Sequence, residues 1–506
     1  MNKTPTKKQL NTLLEYYQHG RFDEAKKVAE LITKEFPNHY FGWKVLGVVL
    51  KEMDRINEAL VAMKKSLELE PKDSESHNNL GVMLKDLGKL NESRISFSQA
   101  ITLNPDDAEA YSNLSLVNRE MGKLEEAKKN CLQAISLKPD LAEAHNNLAL
   151  ILQRLGKTEE AEASYLQAIS LKPDLAEAHN NLGTVFEEKG KLEEAKGWYI
   201  KAILLDPNYY LAINNIGNIY KKMGRLEEAR ENFKKVIELQ PTYIDALWNL
   251  SASESKIDNA EYWLNEILKK KENHLPSKLM KAALRFYMGD KNYFNSLRQS
   301  EYFQHAYMRS FSWVFSLQNL PELYFNRWHF FDAIVEKSVI SKPFYEFGVW
   351  NGISFEYLIK HYKKGYGFDT FEGLPEDWHI GNKIEKKGKY SSEGSVPQIK
   401  GGEFIKGKFE DTLPVFFSED RPTASLINYD ADLYSSTICA LNFTKKIIDK
   451  DTILIFDEFI MNESWEEDEF RALNEFCSIN QLKYEVLAVS FFSKQVAVKL
   501  TDKKDV

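Results

Sequence analysis

Apolar and polar positions divide this 506-residue chain into two kinds of pattern. Up to about Tyr302 the apolar residues keep a helical spacing, and the whole pattern returns every 34 residues. Variants of the phrase G-K-L-E-E-A begin at Gly20, Asp54, Gly88, Gly122, Gly156, Gly190 and Gly224. A proline holds the same step at Pro37, Pro71, Pro105, Pro139, Pro173, Pro207 and Pro241. So does a small residue, at Gly47, Gly81, Ser115, Ala149, Gly183, Gly217 and Ser251. These phases predict pairs of antiparallel helices. The small residue lets the two backbones approach, glycine supplies the left-handed residue that ends the first helix, and proline stops the second. One pair cannot bury its apolar face alone, so the pairs should stack into a solenoid over residues 9–302. The pattern fades after Pro241, and Ser277–Leu297 reads as a last, degenerate pair that caps the array.

Over residues 341–506 the period changes to short apolar strands alternating with helices, which predicts a mostly parallel sheet covered on both faces. Strands are expected at Pro343–Phe347, Tyr366–Asp369, Glu403–Lys406, Ala424–Tyr429 and Thr452–Phe456, with helices at 352–363, 410–417, 435–448 and 464–479. Ser464 and Glu467 suggest a capping box at the start of the last helix. Lys483–Val489 and Lys494–Lys499 have no helix between them and should pair as an antiparallel hairpin. Residues 303–340 are aromatic-rich and lack glycine, which predicts packed helices joining the two halves. Arg327, Trp328 and His329 are candidates to face a site there, although core or interface packing suits the aromatics better. The expected fold class is α + α/β.

Composition narrows the function classes. A net charge of −8 argues against a broad nucleic-acid or anionic-membrane footprint. Three cysteines are too few and too scattered for a disulfide framework or a Cys-type zinc site. Met1–Leu10 is polar with lysines and no apolar run follows, so no signal peptide is expected. No stretch approaches the length of a membrane helix, and a reduced, cytoplasmic compartment is the expectation.

The candidate chemistry lies where open α/β sheets bind ligands, at the C-terminal ends of strands. E-F-G-V-W-N-G-I-S runs from Glu346 to Ser354; Gly348 and Gly352 permit a tight turn and close approach to a ligand. Trp350 and Ile353 stand where a dinucleotide fingerprint has glycines, which disfavours a pyrophosphate and suits a ligand with a carboxylate and an amino group. One step later, Asp369 lies where an acid would accept both ribose hydroxyls. Asp430, Asp432, Asp457 and Glu458 crowd adjacent strand ends and repel unless a cation or protons hold them. All-oxygen ligands favour magnesium, manganese or calcium over zinc; the alternative is a solvated acidic rim. The insertion Pro375–Lys400 carries His379, a backup base, and Tyr390, Ser391 and Ser392, which suit a lid over an acceptor. In the repeats, Asn79, Asn113, Asn147, Asn181, Asn215 and Asn249 also recur every 34 residues, although asparagine is only a middling helix former.

Two resemblances add to this reading. The 34-residue phases are those of tetratricopeptide repeats, and A-E-A-H-N-N-L resembles repeats of the O-linked N-acetylglucosamine transferase type. That likeness implies that the six asparagines line a groove and hold an extended peptide backbone; the alternative is that they bridge adjacent repeats. E-F-G-V-W-N-G, D-T-F-E-G-L-P, G-K-F-E-D-T-L-P, D-A-D-L-Y-S-S-T and F-D-E-F together resemble the macrocin-O-methyltransferase-like family over roughly Phe325–Leu500. The resemblance implies a Rossmann-like class I methyltransferase αβα sandwich that uses S-adenosylmethionine and a divalent metal to methylate a sugar-type hydroxyl. It also implies Asp430, Asp457 and Glu458 as metal ligands and Asp432 as general base. Glu458 departs from the family, where aspartate is frequent. The expected partners are a protein or glycoprotein in the repeat groove and a glycan or small hydroxyl acceptor. Two competing readings are an interaction scaffold with a decayed catalytic domain, and a small-glycan methyltransferase that the repeats merely localise.

Overall fold

The computed structural model describes residues 4–502 and divides into two compact units between Val185 and Phe186. The first unit is helical throughout. Paired helices such as Tyr40–Glu52 with Ile56–Leu69, and Ser74–Asp86 with Leu90–Leu103, follow the repeat phases. Helices end two residues before each proline, at Glu35, Leu69, Leu103, Leu137 and Leu171. The turn position is left-handed every time, from φ +59° at Asp54 to +75° at Gly122. Phase rather than residue type therefore sets this conformation, and Asp54 adopts it without glycine. Where helices cross, residue sizes are matched. A Cβ on Gly81 would lie 2.7 Å from the Phe97 ring, whereas Ser115 has room to accept a bond from the smaller Cys131, Sγ to Oγ 3.0 Å.

The second unit continues with helices from Leu192–Leu205 to Lys291–Arg298 and then builds an eight-stranded mixed sheet. Its strands are β1 (Glu322–Tyr324), β2 (Phe344–Phe347), β3 (Gly365–Asp369), β6 (Gly402–Lys406), β7 (Leu426–Tyr429), β8 (Ile453–Phe456), β9 (Leu482–Ser490) and β10 (Val496–Asp502). A separate hairpin in the insertion supplies β4 (Trp378–Ile380) and β5 (Lys383–Glu385). The sheet order is β1-β9-β10-β8-β7-β2-β3-β6, with β10 antiparallel to both β8 and β9. β6, β3, β2, β7 and β8 are parallel, so the winding reverses between β2 and β7.

Both faces are covered. Tyr345, Phe347, Phe368, Tyr429 and Phe456 pack with Leu413, Leu441 and Phe476 on one side. Phe344, Leu426 and Ile455 pack with Phe331, Ile334 and Phe355 on the other. Two details differ from the sequence reading. The aromatic segment contains not only the helices Ala306–Ser316 and Arg327–Glu336 but also β1, which pairs parallel to β9. The last helix begins at Glu469 rather than Ser464. The Ser464 hydroxyl donates to the His379 carbonyl at 3.1 Å, so it serves the insertion and caps no helix. All three cysteines are free.

Candidate functional site

An aromatic ladder sets the height of the site. Phe368, Phe347, Tyr429 and Phe456 are register neighbours on β3, β2, β7 and β8, and their rings stack with centroids 4.7, 5.5 and 5.0 Å apart. The residue following each ring is a site residue: Asp369, Gly348, Asp430 and Asp457. Backbone bonds carry the ladder one step past the strand ends, from Gly348 N to Phe368 O, Asp430 N to Phe347 O and Asp457 N to Tyr429 O. Gly348 has φ +90°, and a Cβ there would sit 1.7 Å from the Asp430 carbonyl oxygen. Gly348→Ala should therefore cost about 3 kcal/mol, strain and overlap together, readable as a lowered urea midpoint.

These strand ends open on a cavity of about 430 Å³. It is lined by Glu346, Gly348, Ser354, Asp369, Asp430, Asp432, Asp457 and Glu458 among the residues singled out above. Gly352, φ +78°, stands just outside the lining and turns the chain into the helix Ile353–Leu358. His379 is exposed on β4 and does not line the cavity. Tyr390 and Trp378 do line it, and Trp350 Nε1 donates to the Ser391 carbonyl at 3.3 Å. The insertion thus supplies part of the wall.

Asp369 holds backbone as well as facing the cavity. Its Oδ2 accepts Val349 N–H and Trp350 N–H, both at 2.7 Å, and its Oδ1 accepts Phe371 N–H at 2.6 Å. Two of its four acceptor directions hold the glycine loop and a third holds the loop after β3, which leaves one for a ligand hydroxyl, since Thr370 Oγ1, 3.5 Å from Oδ1, donates more closely to the Gly373 carbonyl at 2.9 Å.

The carboxylates are served by cations, of which the sequence offered Arg327 as a candidate to face a site and did not single out Lys494. Arg327 Nη2 lies 2.6 Å from both oxygens of Asp457, and Nη1 donates to Ser354 Oγ at 3.0 Å and lies 3.8 Å from Asp430. Gln495 Nε2 donates to Asp457 Oδ1 at 2.6 Å, and Lys494 Nζ to Glu458 Oε2 at 2.7 Å. Burial raises the carboxyl groups of Asp430, Asp432 and Glu346 well above the usual range, and their acidic neighbours add to it. Among the described residues Glu346 Oε2 has no hydrogen-bond partner. A divalent ion does not fit this arrangement, because the guanidinium already takes both Asp457 oxygens and Lys494 takes Glu458. Among the described residues, no group of three or more His, Cys, Asp or Glu is placed to hold a metal. The geometry therefore gives no support to a magnesium site at Asp430, Asp457 and Glu458.

Glu469, at the start of the helix Glu469–Asn480, escaped the motif reading. It is fully buried, and among the described residues neither carboxyl oxygen has a hydrogen-bond partner. Burial and then Asp432 raise it well above 4.5. A carboxyl raised by folding contributes stability below its unfolded value and loses it as pH rises toward the folded one. Glu469→Gln should therefore stabilise the protein near pH 8 and change little near pH 4, read from melting curves at both values.

In the first unit, the recurrent asparagines link neighbouring repeats. Asn113 Nδ2 donates to Asn78 Oδ1 at 3.1 Å, Asn147 Nδ2 to Ser112 Oγ at 2.9 Å, and Asn181 Nδ2 to Asn146 Oδ1 at 3.2 Å. Asn113 and Asn147 also line a cavity of about 310 Å³. In the second unit, Asn249 Nδ2 donates to Asn218 Oδ1 at 3.0 Å. Asn79 and Asn215 share the phase. At Asn113 and Asn147 such a bond uses one N–H and leaves the second for a peptide, whereas the amide oxygens of Asn181 and Asn249 already accept Asn180 Nδ2 and Lys221 Nζ. Asn113→Ala, Asn147→Ala and Asn181→Ala together should cost about 3 kcal/mol of stability, at about 1 kcal/mol per hydrogen bond, measured by denaturant unfolding.

Helical pairs with these phases define a class, the α-solenoid of stacked repeats, here followed by an α/β sheet unit. The repeats are tetratricopeptide repeats. The family described as "TPR repeat" matches residues 117–156 and 154–190. "Tetratricopeptide repeat" families match 176–209 and 210–243, 62–95 and 96–129, and 44–73. No curated protein matches the chain. Similar solved structures include the APC/C hetero-tetramer Cut9–Hcn1, 17% identical over 54% of this chain and 54% of that one, TM-score 0.45. This chain thus spans about half the length of that one. A tetratricopeptide repeat protein from Parabacteroides merdae is 16% identical over 49% of this chain and 97% of its own, TM-score 0.43. MamA is 28% identical over 32% of this chain and 95% of its own, TM-score 0.28. The repeats indicate a protein-interaction role. Among the described residues no helix is long and apolar enough to cross a membrane.

Proposed function

We propose that the sheet unit is an S-adenosylmethionine-dependent O-methyltransferase of the class I type, acting on a sugar-type hydroxyl, and that the repeats recruit a protein or glycoprotein carrying it. The observation that carries this reading is the acidic cavity at the point where the strand order reverses, opening on Gly348. Five parallel strands followed by an antiparallel hairpin, whose last strand inserts beside β8, fit that fold better than an all-parallel dinucleotide fold. Seven carboxylates line the cavity against four cations, Lys221, Lys222, Arg327 and Lys408. Such a balance repels a pyrophosphate and favours a cationic ligand.

S-adenosylmethionine supplies a methyl group on a sulfonium, already a good leaving group. Glu346, lining the cavity with a free Oε2, would accept the ligand's ammonium. Asp369 would hold one ribose hydroxyl while fixing the loop. Tyr390 and Trp378 would exclude water from the acceptor side. Asp432 would take the acceptor's hydroxyl proton: it lines the cavity, makes no ion pair among the described residues, and is raised toward the range where a carboxylate is an effective base. Incubation with radiolabelled S-adenosylmethionine and whole-cell extract should label a glycan-bearing species. Absence of any label beyond that left by an Asp432→Asn control would count against the activity.

A further inference from the structure

The cavity wall is not made by the sheet alone. Leu192, Lys221, Lys222 and Ala252, from repeat helices of the same unit, line it too. Lys221 sits in the last turn of the helix Tyr210–Lys222. Its Nζ donates to Asn249 Oδ1 at 2.6 Å, and Asn249 Nδ2 donates to Asn218 Oδ1 at 3.0 Å. The second bond orients the carboxamide so that its oxygen faces the lysine. The Lys221 carbonyl accepts Trp328 Nε1 at 2.7 Å, which ties this turn to the segment that carries Arg327.

An ammonium has three N–H donors, and Asn249 uses one. Lysines in a last helical turn commonly complement the helix dipole from solvent and keep an ordinary pKa. Lys221 does not: burial, with Lys222 beside it, pushes its ammonium down to about 8. Among the described residues it has no carboxylate partner, although the cavity it lines is rich in carboxylates. Of those acids, Asp457 pairs with Arg327 and Glu458 with Lys494. The charges are thus segregated within one cavity, and a half-buried cation without a counter-charge leaves room for a ligand to supply one.

We infer that Lys221 is the anion-binding residue of the cavity, a repeat-borne lysine that takes a carboxylate or phosphate of the bound ligand. The inference rests on the methyltransferase reading only for its two candidate sources, the amino-acid carboxylate of the cofactor and an anionic group of the acceptor. The repeats then help to build the site as well as recruit to it.

Calorimetry on the full chain separates the cases, using S-adenosylhomocysteine, 5′-methylthioadenosine (the same nucleoside without the carboxylate) and inorganic phosphate as probes. Lys221→Gln preserves a donor to Asn249, and Lys221→Arg preserves the charge. If the cofactor is the source, Lys221→Gln weakens S-adenosylhomocysteine at least about tenfold, Lys221→Arg restores most of it, and methylthioadenosine is unchanged. If the acceptor is the source, S-adenosylhomocysteine is unchanged and phosphate binding is lost. Unchanged binding of both anionic probes, or equal weakening of both nucleosides, would overturn the inference. Failure of the parent protein to bind either nucleoside would instead overturn the methyltransferase reading, and phosphate would still test Lys221.

Discussion

Arg327→Met is expected to destabilise the protein by about 3 kcal/mol, because it leaves Asp457 buried with both oxygens deprived of their guanidinium. Denaturant unfolding measures that loss. The same substitution should change the site's affinity for cations. With the guanidinium present, Asp430 and Asp457 have their charge balanced in place; without it, two carboxylates at adjacent strand ends need a replacement cation. Manganese titrated into the parent should show no saturable binding at this site. Arg327→Met should gain saturable manganese binding, which partly restores its stability. Tight manganese binding by the parent would mean that Arg327 yields to a metal and that the site is metal-dependent.

The second large effect concerns the proton. Asp432→Asn should lower methyl transfer by about 10²–10⁴-fold, the usual contribution of a positioned general base, with little change in cofactor affinity. The direction of the pH profile follows from the raised carboxyl. The base works only when deprotonated, so transfer should increase with pH through a value above the ordinary carboxylate range. The asparagine variant should lose that limb and keep only a residual, flat rate. A profile unchanged by Asp432→Asn would assign the limb to another group.

The repeats were legible because each signal occurs many times at one phase. Even Asp54 could be placed in the left-handed turn without a glycine. The acids at the strand ends were legible for a related reason, since each directly follows a short apolar strand. What periodicity cannot show is what arrives from elsewhere in the chain. Arg327 reaches Asp457 across 130 positions. Lys221 looks like any lysine ending a solvent-facing helix, and only packing against Trp328 makes it part of a cavity. Three-residue β1 is too short to show a period of two and carries an exposed Glu322. Asp369 was placed at the right strand end, but the three amides that occupy it belong to loops whose path the motif does not specify.

The most direct measurement of the central claim is a calorimetric titration of the full chain with S-adenosylhomocysteine, with NAD titrated in parallel. One saturable site for S-adenosylhomocysteine is expected, on the order of micromolar and so about −8 kcal/mol, with no binding of NAD. Binding of NAD with no response to S-adenosylhomocysteine would contradict it.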